Sequence, residues 1–340
     1  MVMSPHDALE FAAGGFGGEG ANSPSDLPVL VVSLRRGEAL TSLGRRCRDL
    51  PCVLVGVADD DDLEEPEGFD VLMSSAPMPP APWVGSDDLV ADTIDLVAGI
   101  RASPQAAVAL VELLRMSESM KVRDAVVAES FVYSMLQSGE GFRNWLAGQP
   151  SAPLGPSEGP PVIVERIGDH LEVQLHRPHV HNALNAAMRD ALIEAFDVAV
   201  ADESVRSVRL SGDGPSFCSG GDLTEFGSFP DPVTAHAVRT TRSVGYLISL
   251  CADRVAVDVH GACIGAGIEI PAFARWITAT PDSYFVLPEL SLGLIPGAGG
   301  TASIVRRIGR HRTAYMALRQ GVITAPTALA WGLVNEISGA

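Results

Sequence analysis

Lysine is nearly absent from this chain: Lys121 is the only one, and the formal net charge is −18. So acidic a molecule repels a phosphate backbone. That excludes DNA or RNA as a bulk partner, and any phosphate-bearing ligand would need a local arginine cluster. Long apolar runs are missing as well. None approaches the length needed to cross a bilayer, and residues 1–20 lack the basic stretch and apolar core of a secretory signal. The expectation is a cytoplasmic protein without a membrane partner. The five cysteines (Cys47, Cys52, Cys218, Cys251, Cys263) are odd in number and never spaced Cys-x-x-Cys, which argues against structural disulfides and a zinc site. No Walker-type loop or His/Asp ligand cluster occurs, so no metal is expected.

What is present is a chain of 340 residues, 46% of them hydrophobic, enough for two domains or one large domain with an appendage. Residues 1–26 are rich in Gly, Ser and Asp without a period and read as a flexible tail. A small α/β unit over 27–82 follows, with strands at Pro28–Ser33 and Cys52–Val57, a helix over Glu38–Asp49, and a proline cluster at its end. Residues 86–148 turn helical. Val108, Val111 and Leu114 share one face, and Val127, Phe131 and Met135 share another beside Ala128, Val132 and Leu136. Residues 149–161 are the clearest linker. From 162 to 340 strands alternate with helices, which predicts an α/β fold whose strand ends carry the functional turns.

Within that last stretch, Glu269 and Glu289 each follow a glycine- or proline-marked turn, and a Phe217-Cys218-Ser219-Gly220-Gly221-Asp222 turn precedes both. Strand Val205–Leu210 delivers the chain to the first turn, and strand Val255–Val259 feeds Gly265-Ala266-Gly267-Ile268-Glu269. Glycines there let bare backbone approach a ligand, and free N–H groups at a helix start favour developing negative charge. Two carboxylates can hold a water and pass protons through it while two amides hold an oxyanion. The blander reading is two tight turns, a helix-dipole glutamate at 269 and an exposed loop acid at 289. Against it, Glu289 lies between apolar Tyr284–Leu287 and Leu290–Ile295.

Arg177-Pro178, Asn182–Asn185, Phe217–Asp222, His260-Gly261 with Gly265–Gly267, Pro288-Glu289 and Ile295–Thr301 together resemble, in order and spacing, the motif series of the enoyl-CoA hydratase/isomerase (crotonase) family. The resemblance runs from about Val162 to Ile337. It implies a ClpP/crotonase-like spiral of ββα units and an acyl-CoA thioester substrate. It also implies an oxyanion hole from the N–H groups of Ser219 and Ala266, and glutamates at 269 and 289 as the hydratase pair. Asn182, Ala183, Leu184, Gly220, Gly221, Asp222 and Leu223 would line the CoA path, with Cys218, Gly265, Pro288 and Gly297 close to the substrate. Coenzyme A enters as part of the substrate and no separate cofactor is implied. Cys218 reads as a packed thiol because no base is placed for it, and His260 as structural. His179 and His181 carry no assigned role.

One departure accompanies the match. Family chains continue past the element resembling Gly332–Ile337 into a helical subdomain that covers the acyl site and builds a trimer. Here residues 86–148, with Ser103-Pro104-Gln105-Ala106 and the helix around Glu129–Leu136, resemble that subdomain placed ahead of the core. A circular permutation is expected, with 27–82 as a degenerate first core, and the competing reading is an unrelated helical appendage. The expected activity is hydration of a 2-trans-enoyl-CoA to a 3-hydroxyacyl-CoA by a homo-oligomer, trimer or hexamer. The alternatives are a Δ3,Δ2-enoyl-CoA isomerase using Glu289, or an acyl-CoA-binding protein without turnover.

Overall fold

The computed structural model describes residues 2–4, 6–8, 27–34, 50–59, 63, 66–149 and 159–339. Short runs rich in Val, Ile and Leu form two larger sheets, one parallel and one parallel except for an edge hairpin. The first has order β1-β2-β3-β4-β5, with β1 Val2–Met3, β2 Val29–Ser33, β3 Val53–Ala58, β4 Val71–Ser74 and β5 Val84–Gly85. Its residues are buried on both sides: Val29, Val31, Val53 and Val55 join the main core, while Leu30, Val32, Leu54 and Leu72 pack in a second cluster. Burial of both faces is why these strands read as continuous hydrophobic runs rather than alternating ones. The start of the chain departs from the expected tail. Val2 and Met3 pair with Val31 and Val32, and Ala8 is buried. The expected helix over Glu38–Asp49 lies outside the described residues, as does 150–158 of the expected linker.

Four helices follow: α1 Leu89–Ala102, α2 Pro104–Ser117, α3 Val122–Gln137 and α4 Glu140–Ala147. Asp88 caps α1 by accepting from the Ala91 N–H at 2.9 Å, a contact that satisfies one orphan donor of the first turn. Pro104 opens α2, where a missing N–H costs nothing. Val108, Val111 and Leu114 are buried as the spacing predicts. On α3 the expectation fails, because Phe131 and Met135 are 60% and 59% exposed. The inward face carries Ala125, Val126, Glu129, Ser130, Tyr133 and Leu136 instead.

The second sheet has order β14-β11-β9-β8-β7-β6. Its edge is an antiparallel hairpin, β6 Val162–Ile167 with β7 His170–Leu175, and the rest is parallel: β8 Ser207–Gly212, β9 Val255–Val259, β11 Trp276–Ala279 and β14 Glu336–Ile337. A smaller sheet joins β10 Ala262–Ile264, β12 Tyr284–Val286 and β13 Ile323–Thr324. Helices α5 Ala186–Ala201, α6 Pro232–Thr241, α7 Val244–Leu250, α8 Ala266–Glu269, α9 Gly300–Arg319 and α10 Ala325–Trp331 complete the core, with α9 broken at Gly309 by a positive φ of 76°.

The helices of 89–147 lie against this core. Ser117 donates to the Thr301 carbonyl at 3.2 Å, Ser103 to Leu290 at 2.5 Å, and Arg123 to Thr240 at 2.7 Å. A buried ion pair, Arg115 to Asp70 at 2.6 Å, ties α2 to the N-terminal sheet. No single helix among the described residues is long and apolar enough to cross a membrane.

Candidate active site

The first turn grows out of β8. Asn182, in a left-handed conformation, braces it: its side chain accepts from the Arg177 N–H at 2.8 Å and donates to the carbonyls of Asp213, Ser216 and Phe217 at 2.8, 3.0 and 3.1 Å. Leu184 then bridges to Gly221, donating to the Gly220 carbonyl and accepting from the Asp222 N–H. The second turn follows β10. Gly265 has φ 50°, and a Cβ on Gly267 would lie 2.3 Å from the Cys218 carbonyl. The two turns are therefore pressed together, and only glycine fits at the contact.

A third segment, the loop carrying His181, decides which amides are free. The Ser219 N–H, expected to face the substrate, donates to the His181 carbonyl at 2.9 Å, and Ser219 does not line the cavity. Two residues on, Gly221 does line it, together with Ala266 at the start of α8. Neither of those N–H groups has an acceptor among the described residues. The pair that can receive an oxyanion is thus Gly221 and Ala266, one position of the expected pair being corrected.

Glu269 and Glu289 meet across Gly265. A Cβ on that glycine would lie 2.5 Å from Glu289 Oε1 and 3.8 Å from Glu269 Oε1. Both acids are buried. Glu269 Oε2 accepts from the N–H groups of Ala298 at 2.8 Å and Gly300 at 2.9 Å, whereas Glu289 Oε2 has no partner among the described residues. Burial raises the Glu269 carboxyl to about 7, with its amide donors pulling the other way. Burial, and then the charge of Glu269, hold Glu289 well above the usual carboxylate range. Two carboxyls this close disfavour joint ionisation. The hydrogen bonds decide the split: Glu269 is the better carboxylate and Glu289 the better acid.

A third carboxyl stands beside them. Glu129, on α3, accepts from the Gly299 N–H at 2.7 Å, the Thr301 N–H at 2.9 Å and the Thr301 hydroxyl at 2.7 Å. Burial, with the Glu269 charge second, raises it to about 8. Together Glu129 and Glu269 collect every N–H from Ala298 to Thr301, so α9 begins with its orphan donors satisfied. One turn along α3, the Tyr133 ring lies where a Cβ on Gly297 would be, 2.4 Å from that position. Sequence reasoning missed Glu129 and Tyr133. The signal was there: Glu129, Ser130, Tyr133, Ser134 and Gln137 form a polar stripe at helical spacing on an otherwise apolar helix.

The resulting cavity, about 230 Å³, is walled by α3, α6 and both turns. Of the expected residues, Leu184, Gly221, Asp222, Ala266, Glu269, Glu289 and Gly297 line it, and Gly265 touches both acids from behind. The others do not. Asn182 is consumed by its brace, Ala183 accepts from Arg177, Gly220 is bonded to Leu184, Leu223 is exposed, and Pro288 sits outside the wall. Cys218 is buried, its thiol pushed up to about 11, as befits a packed group. His260 bonds the Gly214 carbonyl and His181 the Ser216 hydroxyl, while His179 is exposed.

The sequence profile of the family described as Enoyl-CoA hydratase/isomerase matches residues 169–340. The 2,3-dehydroadipyl-CoA hydratase of Escherichia coli is 31% identical over 176 residues, covering 52% of this chain and 68% of that one. A mevalonyl-coenzyme A hydratase of Beauveria bassiana is 31% identical over 175 residues, 49% of this chain and 62% of its own. The chain thus spans about two thirds of the length of these relatives. The crystal structure of enoyl-CoA hydratase from Thermoplasma volcanium superposes with a TM-score of 0.50 at 31% identity, over 54% of this chain and 73% of its own. The matched half carries both turns and both facing glutamates, and the chain belongs to the enoyl-CoA hydratase/isomerase (crotonase) family.

Proposed function

We propose that this protein hydrates a 2-trans-enoyl-CoA to a 3-hydroxyacyl-CoA. The observation that carries the reading is the meeting of Glu269 and Glu289 at Gly265 inside a cavity that two unpaired amides also line. The thioester oxygen takes the N–H groups of Gly221 and Ala266. Glu269, held as the carboxylate by two amides, removes a proton from water as its oxygen bonds to C3. Charge moves to the thioester oxygen as an enolate, where each backbone donor contributes on the order of 3 kcal/mol in comparable sites. Glu289 gives its proton to C2. Water is added across the double bond, and a proton returned from Glu269 to Glu289 through solvent resets the pair.

Residues 89–147, supplying Glu129 and Tyr133 to the wall, act in this reading as the family's acyl-site cover placed ahead of the core, and assembly into a homo-oligomer is part of the same proposal. The unpartnered Oε2 of Glu289 favours one rival, a Δ3,Δ2-enoyl-CoA isomerase using that acid alone. Hydration of 2-enoyl-CoA esters of increasing length, set against isomerisation of 3-enoyl-CoA, separates them. A hydratase loses its activity in both Glu269→Gln and Glu289→Gln, and an isomerase only in the second. Binding of both ester types without turnover of either would leave a carrier protein.

A further inference from the structure

Three arginines line the cavity, and two of them share one carboxylate. Arg189 and Arg242 both reach Asp190, at 2.9 and 2.8 Å. Arg239, on α6, has no carboxylate within ion-pair distance among the described residues. Its Nε donates to the Ser130 hydroxyl at 3.1 Å, one terminal nitrogen to Gln137 Oε1 at 3.1 Å, and the other to the Ser134 hydroxyl. All three acceptors are neutral. A guanidinium carries five N–H donors, so two remain. Its charge lies 4.4 Å from the centroid of the Tyr133 ring, and that ring covers Gly297 beside the amides that hold Glu269. Burial works against the Arg239 charge, and a cation kept in such a place wants an anion. The Glu129 charge favours that cation from beyond ion-pair distance, while the Glu129 oxygens accept from Gly299 and Thr301 rather than from Arg239.

We propose that Arg239, set by Ser130, Ser134 and Gln137, receives a carboxylate at the far end of the acyl chain, so that the preferred substrate is an ω-carboxyacyl-CoA. This rests on the acyl-CoA reading for what enters the cavity. The thioester end sits at Gly221 and Ala266, the reacting carbons lie beside Glu269 and Glu289, and the chain beyond C3 passes the Tyr133 ring to Arg239. A planar guanidinium can meet a carboxylate with two parallel bonds, and a methyl terminus would leave its free donors unmet.

The test is binding to the whole protein of saturated esters that cannot react: adipyl-CoA against hexanoyl-CoA, by titration calorimetry. Wild type should favour adipyl-CoA roughly tenfold to a hundredfold, the range expected of a charge-assisted hydrogen bond. In Arg239→Gln the ratio should fall to about one, and Arg239→Lys should recover part of it, which a merely structural arginine would not show. Thermal melts of both variants check folding. Equal affinity of wild type for the two esters, or equal losses for both in Arg239→Gln, overturns the assignment of Arg239 while the acyl-CoA reading stands. If neither ester binds, both fall together.

Discussion

Glu269→Gln isolates the charge of one acid from everything else that residue does. Both backbone donors, Ala298 and Gly300, go to the same oxygen of Glu269, so a glutamine can keep both bonds through its carbonyl. Its NH₂ then replaces Oε1, the atom facing Gly265 and Glu289 Oε1, where it can donate. Shape and hydrogen bonds survive, and only the titration is lost. The carboxyl is raised from an ordinary 4.5 to about 7, and each unit is worth about 1.4 kcal/mol, so the buried charge costs the fold at most ~3 kcal/mol. A carboxyl with a raised folded-state value keeps its proton longer folded than unfolded. Stability is therefore lost as pH rises from 4.5 to about 7 and is flat beyond. Urea unfolding of wild type and Glu269→Gln should coincide near pH 4 and diverge upward, until the variant is more stable by up to ~3 kcal/mol near pH 8. Hydration should meanwhile fall on the order of 10²–10⁴-fold, the usual share of a general base. A variant less stable than wild type at pH 8, or a difference that ignores pH, would show that the fold welcomes this charge and refute the reasoning.

Glu129→Gln presents an NH₂ to a backbone donor that needs an acceptor, Gly299 or Thr301. It should cost about 1–3 kcal/mol of stability, and kcat should fall more than KM rises; steady-state kinetics with thermal melts decide this, and an unchanged kcat would make Glu129 a purely structural clamp. Gly265→Ala puts a Cβ 2.5 Å from Glu289 Oε1 at a φ of 50°, so hydration should collapse while the circular dichroism of the fold persists; retained activity would mean Glu289 has room to spare. Arg115→Ala removes the 2.6 Å partner of buried Asp70, leaving it Arg310 at 3.9 Å and the Leu54 N–H, and should cost about 1–3 kcal/mol; an undisturbed unfolding midpoint would deny that pair its role.

The chemistry of the two turns was legible because it is local. Glycine spacing, strand-to-turn transitions and a carboxylate set in an apolar run are properties of neighbouring residues, and they pointed to Glu269, Glu289, Ala266 and Gly221, which line the cavity. The free amide was not local. Ser219 and Gly221 sit in the same turn, and what removes Ser219 is the carbonyl of His181, a bond between segments remote in sequence. Helix α3 shows the limit of periodicity more sharply. Val127-Phe131-Met135 and Glu129-Tyr133-Gln137 have the same spacing, so hydrophobicity alone pointed the wrong stripe inward. The polar one is buried because Gly299, Thr301 and Arg239 offer it donors, and buried polar groups are stable where they are bonded. The sequence by itself determined the strands, the turns and the pair of acids, since those follow from short-range backbone preference. Only the tertiary structure decided which amide stays open, which face of α3 looks inward and where Arg239 ends up, because each depends on partners brought together from distant parts of the chain.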